Sequence, residues 1–524
     1  MTDSLLEKIE QLNQVGIALS AESDTPTLLQ QILTSAQSLT HADGGTLYRV
    51  IDQQQLHFDV VQNTSLDIKL GGNHPDAISF PPIALTLATG EENLTTVASY
   101  VAIKGNMVNI EDIYSGQAFD FSGALAFDQQ VHYRTKSMLT IPLKNFDQEV
   151  IGVLQLVNAM DEQGNVIAFS KESESLVRSL ASQASIALTN RQLIDEHKQL
   201  FEAFSKMVAD AIDKKSPYTG EHCQRVPVIT MMLAKAASES NHPDFKTFQM
   251  DENDLFELET AAWLHDCGKL TTPEYIMDKS TKLETVFDRI ELIKTRLNLK
   301  AFQSLAQQHN IPTKEIEASQ KKYFEYSQRL QDINIGQVFF NESSADFLKS
   351  IQSELYRTLE GTEQPMLTAD EFLNLNIPRG TLNDEERNIM QDHAAMSIHM
   401  LDILPFPKEL QRVSEYAGGH HERMDGQGYP DQLTREELSI PARIMGIADI
   451  FEALSAGDRP YKKAKTLSES LRILGFMKQD GHIDPDLFNL FIRDKVYLTY
   501  AKAYLNPSQI DEVDHSQIPG YKAT

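Results

Sequence analysis

The chain has 524 residues, of which 41% are hydrophobic and 23% charged, and its formal net charge is −28. This length exceeds one compact core and predicts several domains. The acidic excess disfavours sequence-independent binding to duplex nucleic acid, because such binding draws its affinity from Lys and Arg clustered against phosphates. No apolar run reaches the roughly 20 residues of a membrane span, and the first residues lack a signal-peptide pattern. We therefore expect a cytoplasmic protein without a membrane segment, and its two cysteines, Cys223 and Cys267, are too few for a disulfide framework.

The N-terminal part of the chain predicts an α+β module. Residues 5–40 carry apolar side chains at helical spacing and lead into a polar turn. Strand-like runs then follow at 46–50, 137–143 and 150–157, the last two separated by a polar turn. A helix followed by such strands is typical of a sensor module.

A long helix is predicted after the last of these strands. Neither Pro nor Gly occurs over residues 171–215. The apolar side chains that fall on one face of this helix are Leu176, Leu180, Ala184, Ala187 and Leu188. We interpret 171–215 as a connecting helix that forms a parallel homodimer and couples the two halves of the chain.

The N-terminal module resembles a known family. The segments 109–114, 119–120, 133–139 and 152–158 resemble a GAF domain like those of cyclic nucleotide phosphodiesterases, over roughly residues 20–190. The resemblance implies an antiparallel sheet flanked by helices. Two interpretations stay open for this sensor domain, which we place at 1–190: it binds an unknown small molecule, or it serves dimerisation and packing without a ligand.

Histidine and aspartate residues in the second half form a candidate metal site. His265 and Asp266 are adjacent at the end of an apolar helix, and Lys269 follows one turn later. His420 and His421 are also adjacent. Paired histidines favour ligation, because each neutral ring needs a partner for both nitrogens, and divalent iron, manganese or zinc accepts such rings directly. A carboxylate can bridge two cations, and two cations can activate a water for attack on a phosphorus atom. This chemistry indicates phosphodiester hydrolysis.

These residues resemble the HD-GYP subgroup of HD-domain phosphohydrolases. The motifs are His-Asp-x-Gly-Lys at 265–269 and Gly-Tyr-Pro at 428–430, followed by matching segments at 442–444, 448–454 and 459–462. The resemblance implies an all-helical domain that holds two, sometimes three, divalent metals, usually iron or manganese, and hydrolyses cyclic di-GMP.

The resemblance also implies a role for each motif residue. One metal would be held by His222, His265, Asp266 and Asp449, and the other by Asp266, His393, His420 and His421. Asp266 would bridge the two ions. Lys269 would stabilise charge on a phosphate oxygen, and Tyr429, Arg459 and Lys462 would contact the substrate with it. Tyr218 stands where members with three metals carry a carboxylate, which favours two metals here.

The domain boundaries include one departure from the family. We place the HD-GYP domain at 216–485 and a C-terminal extension at 486–524. Residues 284–380 form an insertion at a point where the family runs directly onward. It could cap the cleft, extend a dimer interface, bind a regulator, or pack as a helical excursion outside the site.

The sequence therefore predicts a multidomain chain. It comprises an α+β GAF domain with an antiparallel sheet flanked by helices, a long connecting helix, and an all-α HD-GYP domain with a helical insertion. The predicted activity is hydrolysis of cyclic di-GMP to pGpG, with GMP as a further candidate product. Two alternatives are hydrolysis of another cyclic dinucleotide, such as 3',3'-cyclic GMP-AMP, and a catalytically silent nucleotide-binding module.

Overall fold

The computed structural model describes residues 2–115, 119–216, 221–306, 313–336, 340–457 and 464–522. The chain divides into two compact units, residues 1–200 and 201–524. Within the described residues, no helix is both long enough and apolar enough to cross a bilayer.

The first unit is built on an antiparallel sheet. Its strands are β1 (Ala42–Ile51), β2 (Gln55–Asn63), β3 (Ile68–Gly71), β4 (Ile83–Ala84), β5 (Val108–Ile110), β6 (Met138–Lys144), β7 (Val150–Met160) and β8 (Val166–Ile167). The strand order is β3-β2-β1-β7-β6-β5, with β4 beside β2 and β8 beside β7. The helices of this part are α1 (Thr2–Ala21), α2 (Thr25–Thr40), α3 (Val97–Lys104), α4 (Ser122–Val131) and the start of α5 (Lys171–Lys215).

Alternating side chains of the central strands supply two cores, one on each face of the sheet. Leu47 of β1 is fully buried among side chains of α2 and α5. The next residue, Tyr48, points to the opposite face and packs in a cluster with side chains of α3. The predicted antiparallel sheet flanked by helices is thus confirmed.

The connecting helix α5 runs over Lys171–Lys215, the residues for which the sequence predicts one. Its N-terminal part buries Leu180 and Ala184 against the sheet. Apolar side chains at intervals of seven residues are exposed: Ile186 (60% exposed), Leu193 (39%), Leu200 (69%) and Met207 (59%). We call these four residues the α5 seam.

The second unit is largely helical. Its helices are α6 (His222–Ser238), α7 (Glu252–Leu264), α8 (Glu274–Met277), α9 (Ile290–Ala306), α10 (Thr313–Asn334), α11 (Glu342–Ser353), α12 (Ala369–Leu375), α13 (Asp384–Asp402), α14 (Val413–Gly418), α15 (Ile440–Ser455), α16 (Leu467–Gln479), α17 (Pro485–Arg493) and α18 (Val496–Tyr504). A short 3-10 turn over Cys267–Thr271 follows α7, and another over Gly419–His421 follows α14.

The insertion has a hydrophobic core of its own, with Leu297, Leu330, Leu348 and Leu367 buried in it. It also contains a two-stranded antiparallel hairpin, β9 (Leu355–Arg357) and β10 (Glu363–Pro365), which the expectation of a purely helical insertion missed. A long polar segment gives little periodicity from which such a short hairpin could be predicted.

Both ends of the insertion lie at one place. Thr381 Oγ1 donates to the carbonyl of Lys279 at 2.9 Å, and the backbone N–H of Lys282 donates to the carbonyl of Asn334 at 2.9 Å. The buried ammonium of Lys282 donates to the carbonyls of Leu375 and Ile377. The insertion is therefore held firmly at its base.

Residues 486–524, predicted as an extension beyond the domain, belong to its core. Phe488, Phe491 and Tyr500 are fully buried, and Phe491 packs with its ring centroid 5.0 Å from that of Phe451 on α15. The boundary drawn at 485 therefore separates α17 and α18 from the core that they complete, because the motifs that set it end before the core does.

Candidate metal centre

The predicted metal ligands come from five separate places in the second unit. His222 is the first residue of α6, Asp449 lies on α15, and His393 lies on α13. The other four ligands are two adjacent pairs, each directly after a helix. His265 and Asp266 follow α7, and His420 and His421 follow α14. The fold brings all seven side chains into one cluster.

Asp266 lies at the centre of this cluster. Its Oδ2 is 3.4 Å from Nε2 of His222, and its Oδ1 is 3.3 Å from Nε2 of His393 and 3.9 Å from Nε2 of His420. Two groups of ligand atoms result, His222 with His265 and Asp449, and Asp266 with His393, His420 and His421; within each group all atoms lie within 4.8 Å of one another. Atoms that share one cation at about 2.1 Å are themselves roughly 3 Å apart, so this spacing fits metal ligation.

Hydrogen bonds fix which ring nitrogen of three of the imidazoles faces Asp266. His265 Nδ1 lies 2.8 Å from the carbonyl of Ala262, and Nδ1 of His393 and of His420 faces the carbonyl three residues earlier in the same way. A carbonyl only accepts, so each Nδ1 carries the proton and each Nε2 presents a lone pair. Lone pairs then face a carboxylate, an arrangement that a cation between them stabilises.

Unpaired atoms point to the same conclusion. Among the described residues, Asp266 Oδ1, His265 Nε2 and His420 Nε2 are buried and have no hydrogen-bond partner. Buried polar atoms without partners are costly and rare in folded proteins. Two imidazole nitrogens and a carboxylate oxygen left in this state form a donor set that suits divalent transition metals.

The pKa values of three of these groups favour ligation, whereas the pKa of His222 is raised well above its ordinary value, because the surrounding carboxylates outweigh the effect of burial. Burial lowers the pKa of His420 to about 3, and burial next to the His420 ring holds the pKa of His421 well below the ordinary value. Burial by itself would raise the pKa of Asp266, but the charge of Lys269 and the contacts with neighbouring imidazoles outweigh it and hold that pKa well below its usual range. Neutral imidazoles and an ionised carboxylate are the protonation states that bind metals.

Lys269 and Tyr429 lie at the edge of the cluster. The Lys269 ammonium contacts Oδ2 of Asp266. Burial would lower the pKa of Lys269, but the carboxylates of Asp266 and Asp449 raise it, so the side chain is cationic. The Tyr429 ring packs beside His421, with centroids 4.7 Å apart and planes at 31°. Arg459, Lys462 and Tyr218 lie outside the described residues.

Three contacts around the cluster were not predicted. Glu452 accepts from Nδ1 of His222 and from Arg225 Nε, the latter at 2.6 Å. Its position three residues after Asp449 on a helix is the signal that could have revealed it.

The second contact involves Lys215, the last residue of α5. Its Nζ donates to the carbonyls of Lys269, Leu270 and Thr272 at 3.1, 2.6 and 2.7 Å. These carbonyls belong to the 3-10 turn that follows Asp266 and to the residue after it. The end of the connecting helix is thus bonded to the segment that directly follows the candidate ligands His265 and Asp266.

The third contact is a close approach of two backbones. The Gly268 N–H donates to Ser397 Oγ at 2.9 Å, and a Cβ placed on Gly268 would lie 2.0 Å from the carbonyl oxygen of His393. Only glycine permits this separation, which sets the distance between Asp266 and α13.

Comparison with known proteins identifies both parts of the chain. Residues 24–188 match the GAF domain model and residues 368–487 match an HD domain model. The HD match begins inside the insertion, so His222, His265 and Asp266 lie outside it.

Several relatives resemble part of the chain. A 3'3'-cGAMP-specific phosphodiesterase of Vibrio cholerae is 36% identical over 115 residues, which cover 22% of this chain and 26% of that protein. A cyclic di-GMP phosphodiesterase of Pseudomonas aeruginosa is 35% identical over 119 residues, covering 23% and 27%. A cyclic di-GMP phosphodiesterase of Thermotoga maritima is 41% identical over 93 residues, covering 18% and 25%. The chain thus matches about a quarter of the length of these relatives. It contains a GAF domain followed by an HD domain, and the relatives it matches are cyclic dinucleotide phosphodiesterases of the HD-GYP type.

Proposed function

We propose that this chain is a metal-dependent phosphodiesterase that hydrolyses cyclic di-GMP to pGpG, with GMP as a further candidate product, under the control of its GAF domain. The observation that carries the proposal is the central position of Asp266 between two groups of ligand atoms. A carboxylate shared in this way is typical of two-metal hydrolytic centres. The matched relatives, which act on cyclic di-GMP or 3'3'-cGAMP by their names, support the substrate class.

The residues present fit two divalent metal ions. His222, His265 and Asp449 would hold one ion, His393, His420 and His421 would hold the other, and Asp266 would bridge them. Imidazole and carboxylate ligands suit iron or manganese, the metals we propose. When bound, such ions supply Lewis acidity at the phosphate and activate a water.

The chain's other side chains complete the proposed mechanism. The Lys269 ammonium, held near Asp266, would neutralise charge that develops on a phosphate oxygen. Tyr429, packed beside His421, would offer a ring face or hydroxyl to a base of the substrate. Arg459 and Lys462 would bind phosphate or guanine, the Arg in a bidentate manner.

A second substrate is favoured by a specific observation. One matched relative from Vibrio cholerae is named as specific for 3'3'-cGAMP, and it shares 36% identity over the aligned residues. The proposed metal ligands serve cleavage of the phosphodiester bond. Both dinucleotides contain this bond, so the ligands do not select between the bases.

The test is product analysis under anaerobic conditions. Protein loaded with iron or manganese is incubated with cyclic di-GMP and with 3',3'-cyclic GMP-AMP in parallel, and linear products are separated by chromatography. We expect linear product from at least one of them, and loss of both product and metal when His265 and Asp266 are replaced by Ala. Protein that contains about two metals per chain yet releases no product would support a silent binding module. Unchanged hydrolysis by the double variant would refute the assigned site.

The GAF domain is proposed as the regulatory part. It contains a cavity of about 570 Å³ whose lining includes Tyr48, Phe58, Phe121 and Tyr133. This volume falls in the range of small-molecule sites, which supports an organic ligand for the domain.

We also propose that the protein is a homodimer, joined along the α5 seam. A seven-residue repeat of exposed apolar side chains is the pattern by which two helices pair in a coiled coil.

A further inference from the structure

His222 differs from the other imidazoles of the cluster in how its ring is held. His265, His393 and His420 each donate Nδ1–H to the carbonyl three residues earlier, within or beside their own helix. His222 is the first residue of α6, so no preceding turn of this helix supplies such a carbonyl. Its Nδ1 faces the carboxylate of Glu452 instead, a residue 230 positions away in the sequence.

We propose that Glu452 is a positioning residue that orients His222 as a metal ligand, with Arg225 as its anchor. The proposal rests on the metal-dependent function proposed above and adds a residue to it. An ionised carboxylate only accepts hydrogen bonds, so Nδ1 of His222 carries a proton and the ring turns its Nε2 toward the candidate metal position. That Nε2 is 3.2 Å from Asp449 Oδ1 and 3.4 Å from Asp266 Oδ2.

Helix geometry explains why Glu452 can reach His222. Asp449 and Glu452 are three residues apart on α15, so both side chains lie on the same face of that helix. His222 and Arg225 are likewise three residues apart on α6. Each helix therefore presents two side chains to the other. His222 and Asp449 meet at the candidate metal position, and Arg225 and Glu452 meet next to them, farther from that position.

Arg225 explains how the carboxylate stays ionised in this place. The Glu452 side chain is only 1% exposed, and a buried carboxylate needs a charged partner to remain an anion. Arg225 Nε donates to Glu452 Oε1 at 2.6 Å, while the other oxygen, Oε2, faces His222. One carboxylate thus joins a cation on one side to an imidazole on the other.

The expected consequence is specific to one of the two metal positions. A carboxylate behind a ligating imidazole fixes the ring and makes its free nitrogen more basic, and its loss typically lowers metal affinity about 10–100-fold. The position formed by His222, His265 and Asp449 should weaken by this factor. The position formed by His393, His420 and His421 should be unchanged, because backbone carbonyls orient two of its three rings.

The test compares metal retention in three variants of the full chain. Glu452→Gln keeps the shape and removes the charge, and Arg225→Gln leaves Glu452 in place without its anchor. Glu257→Gln is the matched control, since Glu257 is 2% exposed and its carboxylate also pairs with an arginine, Arg412 at 2.9 Å. Each protein is loaded with Mn²⁺, titrated with a competing chelator, and analysed for bound metal. Circular dichroism verifies folding.

The outcomes separate this inference from the proposed function. We expect the wild type and Glu257→Gln to retain both ions, and Glu452→Gln to release one of them at about 10–100-fold lower chelator concentration. Arg225→Gln should show a smaller shift of the same ion, and it carries the test if Glu452→Gln does not fold. Two equally retained ions in both Glu452→Gln and Arg225→Gln would overturn the role of Glu452 and leave the phosphodiesterase proposal intact. A wild type that binds no Mn²⁺ would overturn both.

Discussion

Gly268→Ala should separate the two halves of the metal centre. The new methyl group would lie 2.0 Å from the carbonyl oxygen of His393 and 2.7 Å from the backbone nitrogen of Ser397. Non-bonded carbon contacts are most favourable at about 3.5–4.0 Å, so the 3-10 turn and α13 must move apart by more than about 1 Å. Overpacking of this kind typically costs about 1–3 kcal/mol, and the lengthened hydrogen bond from Gly268 to Ser397 adds about 1 kcal/mol.

The same displacement should weaken metal binding. Asp266 Oδ1 and His393 Nε2, now 3.3 Å apart, would separate by a similar amount. An ion bound at about 2.1 Å to each could not bridge the larger gap without distortion. We expect loss of the ion held with His393 and a severe loss of hydrolysis.

Urea unfolding and metal analysis measure the two effects separately. Gly457→Ala is the control within the same unit, because its Cβ would meet Ala464 Cβ at 3.4 Å, an ordinary contact. Wild-type stability together with full metal content in Gly268→Ala would refute the argument that this close approach sets the ligand spacing.

Three further predictions concern the helix that joins the domains and the base of the insertion. Replacing Leu193 and Leu200 of the α5 seam with Lys should convert a dimer into a monomer in analytical ultracentrifugation. Glu202→Lys should not, because Glu202 lies on the opposite side of the helix from both leucines. An unchanged sedimentation coefficient in the seam variant would exclude that interface. Lys215→Met removes the donor to three carbonyls of segment 269–272. Amide hydrogen exchange in this segment should accelerate about tenfold for each 1.4 kcal/mol of local stability lost. Equal exchange in the variant and the wild type would show that Lys215 does not stabilise this turn. Burial lowers the pKa of Lys282 from 10.5 to about 8, so between these values the unfolded state binds more protons and folding stability should rise with pH, by up to about 1.4 kcal/mol per pH unit. Urea unfolding at two pH values should show this slope in the wild type relative to Lys282→Met, and identical slopes would contradict it.

The sequence predicted the cluster of candidate ligands better than its surroundings. Adjacent His and Asp residues in distinctive motifs marked these seven side chains, and the fold places them together. No such pairing marks the residues that contact these candidate ligands, such as Glu452. The contact between His222 and Glu452 joins residues 230 positions apart, and sequence spacing alone does not reveal which helices face each other.

Burial of charged side chains was a second limit. Lysines are rarely fully buried, so the residue type gives no sign that Lys282 is buried. The structure buries it to 2% exposure because two carbonyls at the end of α12 accept from it. Likewise, residues 486–524 carry no motif, yet their apolar side chains complete the core of the second unit.

The two ends of the insertion lie next to each other, and this has a consequence for how the domain can evolve. Because Lys279 and Thr381 lie side by side, residues between them can be gained or lost without moving α8 or α13. Loop-closure entropy penalises such growth weakly, since each doubling of length costs only about 0.6 kcal/mol. The insertion has its own hydrophobic core, and the burial of those side chains offsets this cost. The insertion can therefore change in length and in surface residues while the geometry of the neighbouring ligands is preserved.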